Sequence, residues 1–210
     1  MKISLILIAL LLVAACSAPP TAPTTSAPAT DSQSMTQSLE SDLFAANEIV
    51  LPAPACDGTL TPEQTEGPYY TADTPERNSL FEPGMAGQRL LVVGYVLDTN
   101  CQPTSNAWLD FWQADASGQY DNQGYVLRGH QFTDSQGRYV LETVIPGEYP
   151  GRTQHIHVKL QRPGGQVVTS QLYFPGSGSN ASDGIFDAAL LVTLEERGDY
   201  TVAYYNFVLR

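Results

Sequence analysis

The chain has 210 residues, of which 42% are apolar, enough to build one domain of ordinary size with tails. Ten Lys and Arg stand against 22 Asp and Glu, for a formal net charge of -12. With no basic stripe to neutralise phosphates, nucleic acid and anionic membrane surfaces are excluded as electrostatic partners.

The chain opens with Lys2, an apolar run from Ile3 to Ala15, and Cys16. A positive charge, a short apolar stretch and small residues before a cleavage point predict an export signal over residues 1–15. As a helix the run reaches only about 20 Å, short of the ~30 Å hydrocarbon core, so it does not span. The "LVAAC" at its end resembles a bacterial lipobox, with Cys16 as the lipidated first residue. The expected location is the bacterial cell envelope, with a lipid anchor as the only membrane attachment. The alternative is an ordinary cleaved signal and a secreted protein. Residues 16–55 are expected to form a tether, because "SAPPTAPTTSAPATDSQSMTQ" is too poor in large apolar groups to repay the entropy of ordering. Within it "SDLFAANEIV" offers a short helix. The folded domain is placed over residues 56–210. Beyond the membrane, Cys56 and Cys101 are expected as a disulfide, with two free thiols as the alternative.

From residue 89 the chain reads as short β-rich runs: "RLLVVGYVLD", "NAWLDFWQA", "RYVLETVI", "HIHVKLQ", "QVVTSQLYF", "AALLVTL" and "YTVAYYNFVL". Turn signals separate them, among them Asp134-Ser-Gln-Gly137, Pro163-Gly-Gly165 and "PGSGSN". The spacing predicts an all-β, antiparallel two-sheet β-sandwich, with long loops left to carry functional groups.

In a strand, residues i and i+2 share a face, so His155 and His157 project together in chelating geometry. Alternating polar residues on an exposed strand give the same spacing, so the neighbours decide. No carboxylate follows in "VKLQRPGGQ", as a cupin-type site needs. A catalytic zinc site lacks a third ligand unless His130 serves, and His130 reads as a core or rim histidine. Two phenols do lie close in sequence, Tyr120 and Tyr149, and phenolates are hard anionic donors suited to ferric iron.

In this order, "LTPEQTEGPYY", "GYVLDTNCQPTSNAWLDFWQADASGQYD", "LRGHQFTDSQGRYVLETVIPGEYPGRTQHIHVKL" and "TSQLYFPG" resemble the compact, exported members of the intradiol ring-cleavage dioxygenases, over residues 56–210. The resemblance implies a mononuclear non-haem Fe3+ held by Tyr120, Tyr149, His155 and His157. It implies an enzyme that takes a catechol-type substrate and O2, and opens the ring between the two hydroxyl-bearing carbons to a cis,cis-muconate-type diacid. Tyr149 is then also a base for substrate, Arg152 faces the bound ring, and Gln171 stands behind the iron. Tyr70 is a pocket-lining candidate, with core or rim packing as the equal alternative. Phe111 and Trp112 are read as structural, as are Tyr125, Tyr139, Tyr173, Tyr200, Tyr204 and Tyr205. The rival reading keeps the fold without iron: a transthyretin-like or carboxypeptidase-regulatory-like binding module. Oligomeric state and the physiological catechol are left open.

Overall fold

The computed structural model describes residues 43–210. The chain divides into units 1–30 and 31–210, and every described residue belongs to the second. The export segment, Cys16 and the tether up to residue 42 lie outside the described residues.

Nine strands follow in order: β1 (Arg89–Asp98), β2 (Trp108–Gln113), β3 (Arg128–Phe132), β4 (Arg138–Val144), β5 (His155–Gln161), β6 (Val168–Tyr173), β7 (Thr193–Arg197), β8 (Tyr200–Tyr204) and β9 (Phe207–Leu209). They form two sheets, one in the order β4-β1-β8-β7 with β9 also on β1, the other β3-β2-β5-β6. The expected two-sheet sandwich is therefore present. Its four-stranded sheet is antiparallel throughout. The other sheet is mixed, because β1 runs parallel to β8 and β9. About 100 residues separate those partners, so no hairpin turn dictates their direction.

Three runs depart from expectation. "AALLVTL" begins with a 3-10 turn at Ala188–Leu190, capped by the Asp187 carboxylate accepting from Ala189 N–H, and becomes a strand only at Thr193. "YTVAYYNFVL" divides into β8 and β9. The chain passes so close to Gly94 that a Cβ there would sit 1.8 Å from the Tyr205 carbonyl oxygen. β1 changes partner at this point, and only glycine admits the crossing. β3, which the run pattern did not single out, is polar at three of its five positions and pairs with β2.

The core follows the two-residue period. Leu109 and Phe111 of β2, Ile156, Val158 and Leu160 of β5, and Leu172 of β6 face inward against Leu90, Val92, Val96, Tyr139, Leu141 and Phe207. Phe111 thus takes the structural place expected of it, and so does Tyr139. The run "LLVV" is continuous rather than alternating because β1 is buried on both faces. Leu91, Val93, Val140 and Val202 meet a second apolar cluster supplied by Phe44 and Ile49.

That cluster lies ahead of residue 56, where the folded domain was expected to start. Packed structure begins ahead of Cys56, at least by Phe44, which is 7% exposed beneath the Arg138 guanidinium. The short helix is realised as one turn over 43–46. Cys56 and Cys101 are joined, closing a 45-residue separation. In the chain-entropy model a loop of that size is stabilised by about 4 kcal/mol. Phe44→Ala is expected to lower unfolding free energy by about 2–4 kcal/mol, as for other buried aromatics. Chemical denaturation checks this, and a loss under about 0.5 kcal/mol would mean residues 43–55 are a tether after all.

Candidate metal centre

Each strand of the four-stranded sheet sends one face to the core and the other outward. Along the outward face, Arg128, Trp112, His157 and Gln171 are aligned across β3, β2, β5 and β6. The next rank is His130, Asp110, Lys159 and Thr169, and His155 pairs with Tyr173. These residues are polar or aromatic, yet His155, His157, Gln171, Asp110 and Arg128 are almost fully buried. A sheet face of this kind needs a polar cover.

The cover is the chain from about residue 61 to 80. Gln64 N–H donates to the Thr169 carbonyl (2.8 Å), and the Thr65 carbonyl accepts from Gln171 Nε2 (3.0 Å). Lys159 pairs with Glu66 at 2.6 Å and sits 3.7 Å from the Tyr70 ring centroid. The Asp110 carboxylate accepts from Tyr70 Oη (3.0 Å) and Thr74 Oγ1 (2.7 Å). His130 Nδ1 lies 2.8 Å from the Thr74 carbonyl oxygen. His130 therefore belongs to this anchoring network, one rank away from the other two histidines.

Two loops bring in the phenols. Asp115 opens the β2–β3 loop as an Asx turn, its Oδ1 accepting from Ser117 and Gln119 N–H. Gly118 has φ +83°, and a Cβ on it would lie 2.2 Å from the Glu148 carbonyl oxygen. Glycine there lets the Tyr120 loop touch the Tyr149 loop. Tyr149-Pro-Gly-Arg152 is a tight turn closed by Arg152 N–H to the Tyr149 carbonyl (2.9 Å), with Gly151 at φ +81°. The Pro-Gly pair is the signature of a type II turn.

The four residues converge on His155 Nε2. His157 Nε2 lies 3.1 Å from it, Tyr120 Oη 3.4 Å and Tyr149 Oη 3.5 Å. His155 Nδ1 is 2.6 Å from the Thr153 carbonyl oxygen. That bond assigns the proton to Nδ1 and leaves a bare lone pair on Nε2. His157 stacks on Trp112 with ring centroids 4.7 Å apart and 7° between planes, so Trp112 steers a site residue rather than filling the core.

These distances fit a shared cation. Bonds of about 2.0–2.1 Å at right-angled to tetrahedral geometry set neighbouring donors about 2.9–3.4 Å apart. Burial, helped by nearby Arg152, holds His155 down at about 4, and burial and His155 hold His157 well below its ordinary value. Both imidazoles are thus neutral donors near pH 7. Burial, reinforced by Tyr149, raises the Tyr120 phenol. A trivalent cation bound there would offset that cost. Among the described residues no cluster of three or more His, Cys, Asp or Glu could hold a metal. Beside the two imidazoles, the two phenols are the groups that would complete a four-donor set.

Arg152 borders the set. Its Nη1 donates to Tyr149 Oη (3.4 Å), its Nη2 to Gln171 Oε1, and its Nε to Asp183 Oδ2 (3.0 Å). Burial works against its charge, but Asp183 and Tyr149 outweigh that and leave its pKa raised. Gln171 Oε1 also accepts from Tyr173 Oη (3.1 Å). Gln171 therefore acts on the guanidinium, and Tyr173, read from sequence as sandwich packing, is part of its support. Tyr125 also departs from that reading, being 38% exposed.

The wall residue is Tyr69 rather than Tyr70. Its ring stacks on Tyr120 at 4.4 Å and meets Tyr149 edge-on at 6.2 Å, whereas Tyr70 turns toward Asp110 and Trp112. "EGPYY" holds both, and nothing in the pair fixes which one faces the site. Asp183 carries no sequence signal within its Gly, Ser and Asn-rich loop.

The Dioxygenase_C family model, described as a dioxygenase, matches residues 65–210. The chain belongs to the intradiol ring-cleavage dioxygenase family. It is 36% identical over 129 residues to the protocatechuate 3,4-dioxygenase beta chain of Burkholderia cepacia, covering 52% of this chain and 54% of that one. Against the catechol 1,2-dioxygenase of Acinetobacter guillouiae it is 28% identical over 144 residues, 55% and 47% of the two chains. The chain thus spans about half the length of these curated relatives. Among solved structures, the dioxygenase domain of a dioxygenase carbohydrate-binding protein fusion from Streptomyces sp. SirexAA-E is similar. It is 49% identical with a TM-score of 0.71, over 72% of this chain and 98% of that one.

The anchoring network has a pH signature. Burial raises the Asp110 carboxyl above its ordinary range, against the pull of Thr74, Tyr70, His130 and Lys159. A raised folded-state value means that this group's contribution is full below about pH 4 and is lost as pH rises through the folded value. Asp110→Asn lacks that dependence. The stability difference between parent and variant is expected to shift against the parent as pH rises above about 4. Denaturant titrations across that range check it, and a constant difference would contradict it.

Proposed function

We propose that the domain is a non-haem ferric-iron dioxygenase that cleaves catechol-type rings between the two hydroxyl-bearing carbons. The carrying observation is the convergence of Tyr120, Tyr149 and His157 within 3.5 Å of His155 Nε2, with Arg152 alongside. Membership of the intradiol family supports the same reaction class. Tyr120, Tyr149, His155 and His157 are the proposed ligands. Ferric iron, when bound, supplies Lewis acidity toward the two catechol oxygens and lowers the cost of their ionisation.

The chain's own residues account for the rest. Tyr149 Oη accepts from Arg152 Nη1, which holds the phenol oxygen beside a cation, where a catechol hydroxyl proton must be received. Arg152 offsets negative charge that develops on the ring. Tyr69, stacked on Tyr120, keeps water from that side of the ring. The overall change is catechol plus O2 to a cis,cis-muconate-type diacid, with both oxygen atoms retained and no external reductant. A non-catalytic sandwich module has no use for this convergence. We place the domain's work outside the cytoplasm, a reading supported by the Cys56–Cys101 disulfide and the Lys2-to-Cys16 pattern.

Oxygen uptake on a catechol panel, with product identification, tests the proposal. Ring opening between the hydroxylated carbons is expected, and Tyr149→Phe and Arg152→Leu are each expected to cut kcat/KM at least about 100-fold. Opening beside the hydroxyl pair, or unchanged uptake in Tyr149→Phe, would overturn it.

A further inference from the structure

Asp183 is among the most deeply placed carboxylates in the described structure, with its side chain 1% exposed. It lies within the loop that follows β6, and its two oxygens face different segments. Oδ2 accepts from Arg152 Nε and from Thr153 N–H, both at 3.0 Å. Oδ1 accepts from Ile185 N–H at 3.1 Å, which fixes the carboxylate to its own loop.

Two consequences follow at the metal centre. With Nε held by Asp183, Nη1 facing Tyr149 and Nη2 on Gln171, the guanidinium has a bond from each of its nitrogens, and its plane cannot turn. Thr153 is held at its N–H by Asp183, and at its hydroxyl by Ser177 and Asn180, both within 2.6 Å. The Thr153 carbonyl then meets His155 Nδ1 at 2.6 Å, which fixes the direction of the Nε2 lone pair. One carboxylate therefore reaches both the arginine beside the reacting ring and the residue whose carbonyl orients a proposed ligand. A residue needed only to fasten the loop would require the Ile185 bond and no cation.

We propose that Asp183 is the positioning residue of this centre, orienting Arg152 directly and His155 through Thr153. The proposal rests on the dioxygenase reading for its kinetic effect but not for its geometry. Removing one partner of a buried pair leaves the other charge uncompensated, so the guanidinium is expected to leave its place when the carboxylate is neutralised.

The test compares the parent with Asp183→Asn, which keeps the shape and loses the charge, and with Asp183→Glu, which restores the charge displaced by one methylene. In the metal-free parent, the Arg152 Nε–H proton should give a slowly exchanging nitrogen-15 NMR signal, assigned by its disappearance in Arg152→Lys. In Asp183→Asn that signal should be lost, and affinity for added ferric iron should fall about tenfold, the scale of outer-shell effects on metal sites. Its kcat on catechol should fall at least about tenfold with KM changed less, and Asp183→Glu should recover part of each effect. Absence of a protected Arg152 Nε–H in the folded parent overturns the proposal whether or not the variants fold. So does an Asp183→Asn protein that keeps the signal and the iron affinity within twofold. If the parent consumes no oxygen on any catechol, the dioxygenase reading fails while the NMR and iron measurements still decide the role of Asp183.

Discussion

The structure turns on the alternation of β5. Because successive strand residues face opposite ways, "HIHVKL" sends Ile156, Val158 and Leu160 into the sandwich and His155, His157 and Lys159 away from it. A shift of one residue would bury the imidazoles in the apolar core and expose the aliphatic chains. The apolar side of β5 thus holds the register that the polar side uses. Both neighbours repeat the pattern, with Trp112 and Gln171 beside His157 on the same outward face.

That outward face sets the terms for everything around it. Buried polar groups need partners, and a sheet edge or bulk water cannot provide them here. The 61–80 segment supplies them to Gln171, Lys159, Asp110 and His130 from outside the sandwich, while His157 Nδ1 and Trp112 Nε1 on the same face meet no hydrogen-bond partner among the described residues. This explains an N-terminal stretch that contains little regular secondary structure and yet is tied down residue by residue, from Gln64 on Thr169 to Tyr70 and Thr74 on Asp110. It also explains why the loops can approach so closely: glycine occupies Gly118, where a side chain would strike the Glu148 backbone. The scaffold supplies rigidity, and the loops supply two of the four proposed donors.

The sequence was informative where periodicity or turn chemistry acts alone. β1 and β5 have the bounds their runs suggest, and the turn read at Asp134-Ser-Gln-Gly137 closes with Gly137 N–H on the Asp134 carbonyl. Legibility stopped where a distant segment decides. β1 runs parallel to β8 and β9 because of chain routing that no local pattern encodes. Phe44 and Ile49 look like scattered apolar residues in a tether until the outer face of β1 is seen to need them. Tyr69 and Tyr70 are adjacent and chemically alike, so the choice between them rests on Asp110, forty residues away. Asp183 is identified only by the arginine it meets.

The central claim is that two phenols and two imidazoles share one ferric ion on this outward face. The most direct measurement is the visible absorption of the iron-loaded protein, alone and with Tyr120→Phe or Tyr149→Phe. The account predicts a phenolate-to-iron charge-transfer band that weakens in each variant as one aryl oxide donor is lost. An iron-loaded parent without such a band, or a band indifferent to both substitutions, would contradict it.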